Sequence, residues 1–336
     1  MNKIKSIVSD EFNITLTVTN SCNYRCKYCP TQLHNGSEEP ILVETYIKFF
    51  TNLIKENPQI NDYSNRFVTI SGGEPSLYEG IEELITFFND NNFNVSLDSN
   101  GSATKEVWEI LFEKTNNVHL SFHPRYAKFS KFDELIKIGQ RKNAMMSIGL
   151  LMDPEHWDKV LEAVEYFKQK NITVAYKGVL ARYKSENSMK KGDNLFIGEY
   201  SSLYTEEQLK YIKENLYQNF DRGLDGYDPN NTSHATKVHY EDGTIENFQQ
   251  QKLVSQGLNK FKGFRCDAGK SNLSIKWDGT VTGAHCGTRF SGEFGNLIKN
   301  KDLKVKLKPI GIICHKSGNC TCGPDMRITK SITKIL

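Results

Sequence analysis

Residues 66–91 read RFVTISGGEPSLYEGIEELITFFNDN and contain one unit of the pattern that decides the fold. The first part, RFVTIS (66–71), is rich in β-branched and apolar residues, which is typical of a strand. The last part, EGIEELITFFNDN (79–91), has the apolar spacing of a helix. Strand and helix alternate in this way from residue 12 to residue 180, which predicts a parallel sheet with right-handed crossovers.

The pattern predicts six strands and five helices. The predicted strands are 12–19, 66–71, 93–98, 117–122, 144–151 and 172–180, and the predicted helices are 43–57, 79–91, 104–114, 131–142 and 154–170. This is too few units for a closed eight-stranded barrel, which leaves an open partial barrel or a doubly wound sheet. In either fold the site lies at the C-terminal ends of the strands.

Polar or glycine-rich sequence follows four consecutive predicted strands. A cysteine cluster follows the first strand, SGGEP (71–75) the second, SNG (99–101) the third and SFHPR (121–125) the fourth. Parallel strands place their C-terminal ends at one edge of the sheet. We therefore expect these segments to converge on one mouth.

The bulk composition excludes several classes of protein. The chain has 336 residues, a formal net charge of +3 and 25% charged residues, a balance too mild to indicate a nucleic-acid or membrane partner. No apolar run reaches transmembrane length, and MNKIKSIVSDEF (1–12) lacks the apolar core of a signal peptide. We expect a cytoplasmic protein, in which cysteines are metal ligands or catalysts more often than disulfides.

The eight cysteines fall into two groups, and their positions indicate how the chain is organised into domains. One group lies near the start and the other in the last quarter. We predict a barrel domain (1–180), a bridging or lid segment (181–260) and a cysteine-rich domain (261–336). The middle segment contains a predicted helix, 205–220, opened by the capping box Thr205-x-x-Gln208, and a hairpin, 238–248.

Residues 22–29 read CNYRCKYC and carry the first group of thiols. Soft thiolates select zinc, copper(I) or iron–sulfur clusters. A structural zinc site needs four ligands, and the next candidate here is His34. A 4Fe–4S cluster held by three cysteines instead keeps one iron open to a small chelating molecule.

The pattern Cys-x-x-x-Cys-x-x-Cys after a first strand, with GGEP after the second, resembles the radical S-adenosylmethionine superfamily. The resemblance implies that Cys22, Cys26 and Cys29 bind a 4Fe–4S cluster whose open iron chelates S-adenosylmethionine (SAM). It implies reductive cleavage of SAM to a 5′-deoxyadenosyl radical. It also implies an α/β fold, a partial (β/α)6 TIM-like barrel with a small C-terminal cysteine-rich auxiliary-cluster domain.

The resemblance further implies contacts with SAM at the strand ends. GGEP corresponds to the segment that binds the methionine amino group, where glycines allow close approach and Glu74 or backbone carbonyls accept hydrogen bonds. Tyr28 is placed to touch the adenine. The predicted cofactor-binding residues are Tyr28, Gly72, Gly73, Glu74, Pro75, Ser99, Asn100 and Ser121. Turn or core roles are the alternative for Tyr28, Ser121 and the SNG segment.

The second group begins in CDAGKSNLSIKWDGTVTGAHC (266–286), a hairpin that turns at Asp278-Gly279. With its later cysteines it resembles the SPASM and shorter twitch auxiliary-cluster domains. Five cysteines imply one auxiliary 4Fe–4S cluster, and a zinc site is the alternative. The predicted ligands are Cys266, Cys286, Cys314 and one of Cys320 and Cys322, the other being a bystander or a hydrogen-atom donor.

The family's folds serve many substrates, so the fold does not decide the reaction. The first predicted strand begins near residue 12, so we expect no fused peptide-recognition domain. This favours a small polar substrate, such as a sugar, aminocyclitol or nucleotide-linked metabolite, which is oxidised or epimerised with electrons from a flavodoxin- or ferredoxin-type donor. The alternatives are an enzyme that modifies peptides or matures proteins, and a non-enzymatic zinc-binding module.

The candidate catalytic residues are His123, Lys177 and Cys322. His123 follows the fourth strand, and an imidazole suits proton transfer near neutral pH, although a structural histidine is the alternative. Lys177 lies near the end of the sixth strand. Arg125 and Arg182 suit a phosphate or carboxylate, or else are solvated surface residues.

Overall fold

Alternating strands and helices make up the first half of the chain, and short strands dominate the rest. The computed structural model describes residues 3–172, 174–182, 196–220, 236–248, 253, 256–320 and 323–332. The strands are β1 Ile4–Val8, β2 Glu11–Thr17, β3 Asn65–Ser71, β4 Asn94–Ser99, β5 Asn117–Phe122, β6 Met146–Met152, β7 Ala175–Gly178, β8 Leu180–Arg182, β9 Phe196–Tyr200, β10 Lys237–Tyr240, β11 Ile245–Asn247, β12 Phe264–Cys266, β13 Asn272–Ile275, β14 Thr280–Thr282, β15 Glu293–Asn296, β16 Ile312–Ile313 and β17 Lys330–Ile332. The α-helices are α1 Val43–Glu56, α2 Ile81–Asp90, α3 Lys105–Lys114, α4 Phe129–Arg141, α5 Trp157–Gln169, α6 Glu206–Phe220, α7 Thr288–Ser291 and α8 Gly323–Arg327.

Strands β2 to β7 pair in parallel and in chain order, as the alternating pattern predicts. Helices α1 to α5 lie between them along the chain. The sheet runs from β15 at one edge to β7 at the other, so the barrel is partial. The predicted α/β partial barrel is confirmed. The predicted strand 172–180 is shorter in the structure, because β8 leaves the sheet and pairs with β9.

The two faces of the parallel strands differ in polarity. Val95, Leu97, Val118 and Leu120 are fully buried and share the main core with Trp108 of α3. Each such aliphatic side chain stabilises the fold by about 1.5–3 kcal/mol. Alternate residues point to the opposite face, the inside of the barrel, because successive side chains of a strand alternate. The inward positions of β4 and β5 carry polar residues.

The C-terminal hairpin belongs to the barrel sheet itself. Strand β13 pairs in parallel with β2, with Leu273 opposite Ile14, and continues through the predicted turn into β14. Strand β2 therefore has a neighbour on each edge and is buried at every one of its 7 residues. The division at residue 261 stays a prediction, and the structure adds that the two parts share one sheet.

A second sheet joins three distant parts of the chain, in the order β11-β10-β1-β17-β12-β16. The predicted hairpin at 238–248 is present as β10 and β11. The prediction that the first strand begins near residue 12 is wrong, because β1 precedes it. Ile7 of β1 pairs with Val238 and Lys330, so no local pattern indicates this strand.

Helix α6 begins as its capping box predicts. Gln208 N donates to Thr205 Oγ1 at 3.2 Å, and Thr205 N donates to Gln208 Oε1 at 3.1 Å. These reciprocal bonds satisfy two backbone donors at the helix start. Within the described part of the chain, no helix combines the length and apolar character that crossing a membrane requires.

Candidate functional site

Four predicted segments lie at one edge of the parallel sheet. Strands β2 to β5 are parallel, and their C-terminal ends lead to the cysteine loop (22–29), the GGEP segment (72–75), Ser99-Asn100 and His123. Barrels of this kind carry their sites at that end. The structure brings together the segments that the sequence singles out.

The GGEP segment packs backbone to backbone against the start of the cysteine loop. Gly73 N donates to Thr19 O at 2.7 Å, and Glu74 N donates to Ser21 O at 2.8 Å. A Cβ on Gly73 would lie 2.1 Å from Ser21 O, so only glycine fits. This glycine therefore allows the close approach of the loop that begins with Cys22. Pro75 opens a 3-10 helix, Pro75–Leu77, in which Pro75 and Ser76 are buried.

Glu74 joins the ends of β3 and β4 through its carboxylate. Oε1 accepts from Ser76 N at 3.0 Å, Ser76 Oγ at 2.6 Å and Ser99 Oγ at 2.5 Å, and Oε2 accepts from Asn100 N at 2.7 Å. Burial raises the pKa of Glu74, and the four donors oppose that rise. These bonds nearly fill the acceptor capacity of the carboxylate, so Glu74 braces the site. Its contact with SAM stays a prediction.

The sulfur of Cys22 receives hydrogen bonds from two directions. Tyr24 N donates to Cys22 Sγ at 3.3 Å, and Asn100 Nδ2 lies 3.7 Å from the same sulfur. Asn100 Nδ2 also donates to Asn23 Oδ1 at 3.1 Å. Donors to cluster sulfurs are among the factors that set reduction potentials. The SAM contact predicted for Asn100 stays a prediction, beside this contact with the loop.

Cys26 and Tyr28 both contact His123. His123 Nδ1 lies 3.4 Å from Cys26 Sγ and 2.7 Å from Tyr28 Oη. Burial raises the pKa of Tyr28, so its hydroxyl is protonated at neutral pH. Burial, and then the Lys177 ammonium, lower the pKa of His123 to about 4. His123 is thus a neutral partner of the loop at neutral pH, and its proposed proton transfer stays a prediction.

The cysteine loop has the donor set of a metal cluster. Burial raises the pKa of the Cys22 thiol and raises that of Cys26 to about 11. Thiolates in this place need positive charge, which bound metal ions supply. Cys29 carries the third thiol, and its backbone N donates to Cys26 O at 3.0 Å. Three soft sulfurs on one loop at the mouth fit a 4Fe–4S cluster with one open iron.

Ionisable side chains from neighbouring strands meet inside the barrel. Asp98, His119 and Ser147 occupy one register row on β4, β5 and β6. His119 Nδ1 lies 2.6 Å from Ser147 Oγ. A Cβ on Gly149 would lie 2.8 Å from both His119 Nε2 and Lys177 Cε, so these two side chains cross over the glycine.

Lys177 acts electrostatically on this row. Burial, and then the Lys177 ammonium, lower the pKa of His119 to about 3. Burial raises the pKa of the Asp98 carboxyl, and the Lys177 ammonium opposes that rise. The side chain remains accessible to solvent although protein surrounds it, as expected inside an open barrel. His119 Nε2 is buried and has no hydrogen-bond partner among the described residues. The polar–apolar alternation of NVSLDS (94–99) and NVHLSF (117–122) is the sequence signal for Asp98 and His119.

The remaining predicted residues lie in different surroundings, and one of them, Arg125, lines a small recess beside Cys26 and Tyr28 of the cysteine loop. Ser121 is half-buried on β5, and Arg125 packs over the ring of the next residue, 5.3 Å from its centroid. Arg182 pairs through its backbone with β9. Cys322 lies outside the described residues. Their roles stay predictions.

Four of the C-terminal cysteines line one mainly apolar recess. They are Cys266, Cys286, Cys314 and Cys320, with Phe261, Ala268, Ala284, Phe290, Ile312 and Ile328 around them. Burial raises the pKa of Cys320 to about 12 and raises those of Cys266 and Cys286. In the described part of the chain, no three His, Cys, Asp or Glu side chains are gathered around a single-ion site. Four sulfurs around one recess are the donor set of a Cys-ligated cluster.

A family comparison identifies the barrel. The family model of the Radical SAM superfamily matches residues 16–191, just over half of the chain. The chain belongs to the Radical SAM superfamily. The family implies a 4Fe–4S cluster and SAM as cofactors. The match includes the cysteine loop, the GGEP segment and strands β3 to β7.

Curated relatives match over a similar share of the chain. GTP 3′,8-cyclase from Helicobacter pylori (strain J99 / ATCC 700824) is 28% identical over 194 residues, which cover 50% of this chain and 57% of the relative. GTP 3′,8-cyclase from Staphylococcus haemolyticus (strain JCSC1435) is 23% identical over 184 residues, which cover 49% of this chain and 53% of the relative. The chain thus spans little more than half the length of these relatives.

Solved structures share the fold. Native anSMEcpe with bound AdoMet aligns with a TM-score of 0.54 and 16% identity, covering 87% of this chain and 78% of that chain. Native anSMEcpe with bound AdoMet and Kp18Cys peptide aligns with a TM-score of 0.53 and 16% identity, covering 87% and 82%. At this identity the likeness concerns the fold alone.

We expect Glu74→Gln to lower the stability of the fold and to weaken SAM binding. The new amide places N–H donors opposite those of Ser76, Ser99 and Asn100, and a buried donor left without an acceptor costs about 1–3 kcal/mol. Circular dichroism should show a lower unfolding midpoint, and equilibrium dialysis of the reconstituted protein should show weaker SAM binding. The control is Glu79→Gln at an exposed neighbour. Equal behaviour of the two variants would argue against the brace.

Proposed function

We propose that this enzyme cleaves SAM reductively and removes a hydrogen atom from a small polar substrate inside the barrel. The supporting observation is the cysteine loop, braced by Glu74 and Asn100, at the mouth of a polar interior. When bound, the cluster and SAM would supply the 5′-deoxyadenosyl radical that removes the hydrogen atom, with one electron from outside the chain. A flavodoxin- or ferredoxin-type protein is the proposed source of that electron.

The chain's own residues hold and shape this site. Cys22, Cys26 and Cys29 are the proposed cluster ligands. Gly73 allows the GGEP backbone to hydrogen-bond to the start of the cysteine loop, and these bonds hold the loop at the sheet edge. His123 contacts both the Cys26 thiol and the Tyr28 hydroxyl, and these contacts orient the thiol.

The barrel interior supports a small polar substrate. Asp98, His119 and Lys177 offer a carboxylate, a neutral imidazole and an ammonium within one space. A substrate hydroxyl or amine would satisfy the buried His119 Nε2. Oxidation or epimerisation at a carbon of such a substrate is the proposed reaction. The related GTP cyclases are named for a nucleotide, which belongs to the same polar class.

A peptide is the second candidate substrate. The observation that favours it is the fold shared with a structure that contains a bound Kp18Cys peptide. The polar interior favours the small molecule, because an apolar peptide side chain would leave its buried polar groups without partners.

The C-terminal recess is the proposed site of a second 4Fe–4S cluster. Cys266, Cys286 and Cys314 are the proposed ligands, and Cys320 is the fourth because its side chain lines the same recess. Cys322 is then the bystander. An electron-accepting cluster with four protein ligands suits oxidation of the substrate.

Replacing Cys22, Cys26 and Cys29 together with alanine should abolish SAM cleavage. Without these ligands no iron can chelate SAM, so dithionite-reduced protein should form no 5′-deoxyadenosine by liquid chromatography. The second cluster and the far-ultraviolet circular dichroism spectrum should persist. Continued formation of 5′-deoxyadenosine by the triple variant would remove these cysteines from the proposal.

The substrate class can be read from deuterium transfer. An extract of cells grown in D2O is separated by ultrafiltration and incubated with enzyme, unlabelled SAM and dithionite. We expect the 5′-deoxyadenosine to gain deuterium from the small-molecule filtrate and none from the retentate. Lys177→Met should lower that gain about tenfold, the effect of losing about 1.4 kcal/mol of binding. Lys168→Met, at an exposed position of α5, is the control. Deuterium from the retentate alone would favour a peptide.

Single alanine variants should separate the recess ligands from the bystander. Wild type should hold about eight irons in two clusters. Variants of Cys266, Cys286, Cys314 and Cys320 should each lose the second cluster, while Cys322→Ala should retain it together with full turnover. The measurements are iron and sulfide content. About four irons in well-reconstituted wild type would rule out the second cluster, and stoichiometric zinc would assign the recess to zinc.

A further inference from the structure

A buried lysine stands opposite one of the recess cysteines. Lys330 is 3% exposed and pairs in register with Cys266 across β12 and β17. Opposed residues of antiparallel strands project from the same face, with Cβ atoms about 4.5–5.5 Å apart. Lys330 therefore lines the recess beside Cys266, as Cys314 and Cys320 also do.

The side-chain nitrogen of Lys330 has the surroundings of an ammonium. Nζ donates to three backbone carbonyls, those of Asp325, Met326 and Ile328. Only the protonated form has three N–H donors for three acceptors. The ring of Phe261 lies 5.0 Å from Nζ, which adds a favourable contact for a cation.

This buried charge has no ion-pair partner within the described part of the chain. Among the residues that the structure describes, the ion pairs do not include Lys330. The Asp325 carboxylate, which also lines the recess, accepts from His285 N at 2.9 Å and Cys286 N at 2.8 Å. Burying an ammonium is costly unless an anion lies close. Thiolates that ligate a cluster in the recess would provide that anion.

We propose that Lys330 is the positive charge that balances an anionic iron–sulfur cluster in the recess and raises its reduction potential. The inference rests on the proposed second cluster. Reduction adds negative charge, and a fixed cation nearby stabilises the reduced form more than the oxidised form. The negative charge of the Asp325 carboxylate would lower the reduction potential. A raised potential is the property that an electron acceptor requires.

Lys330 also has a structural role that the test must separate. Its three acceptor carbonyls lie at the end of α8, so the side chain caps that helix. A cap acts through hydrogen bonds, whereas the shift in potential depends on charge. Lys330→Gln distinguishes the two effects, because the amide keeps N–H donors and lacks the charge.

The experiment uses the full chain with the three loop cysteines replaced by alanine, which leaves only the recess to hold a cluster. The midpoint potential is measured by a redox titration followed by electron paramagnetic resonance. We expect Lys330→Gln to shift it to a more negative value and Asp325→Asn to a more positive one. Lys299→Gln removes an exposed charge that does not line the recess and should leave the potential unchanged.

Iron content keeps the two possible failures apart. A parent chain without a cluster would refute the proposed second cluster, and this inference with it. A parent with about four irons whose potential is unchanged by Lys330→Gln would refute the role of Lys330 alone. A Lys330→Gln chain that unfolds or holds no iron would also overturn the proposal, since Lys330 would then serve folding.

Discussion

Parallel pairing of strand β2 on both edges is the constraint on which the rest of the structure depends. With β3 on one side and β13 on the other, every residue of β2 is buried. The chain leaves β2 through Thr19 and Ser21, whose backbone carbonyls accept hydrogen bonds from the GGEP segment. The cysteine loop therefore starts from a fixed point. The same pairing joins the C-terminal hairpin, which leads into the recess, to the barrel.

The two cysteine groups meet the same electrostatic problem in different surroundings. Burial disfavours the thiolate in both, and iron bound in the two proposed clusters would offset that cost. The loop adds N–H donors to Cys22 and opens onto a polar interior. The recess is mainly apolar, presents four sulfurs and has Lys330 beside Cys266. In the proposed function this difference separates a site that binds SAM from one that exchanges electrons.

The barrel interior adds the third component of the proposed reaction. Its row of Asp98 and His119 is crossed by Lys177 over Gly149. This places charge below the mouth, together with an imidazole nitrogen that has no hydrogen-bond partner among the described residues. Glu74 is charged too, but protein donors occupy its carboxylate. Protein donors thus occupy the carboxylate at the mouth, whereas the polar groups inside the barrel are the proposed contacts of a substrate.

Spacing along the chain determined the fold class, the cysteine loop and the capping box of Thr205 and Gln208, because each depends on residues within one local repeat. Roles within the site followed only from the family resemblance and stay predictions. The tertiary structure alone decided that β13 joins β2, that His119 meets Lys177 and that Lys330 faces Cys266. These partners lie far apart in sequence, and their pairing is chosen by burial and hydrogen bonding of the complete sheets, which no local period records.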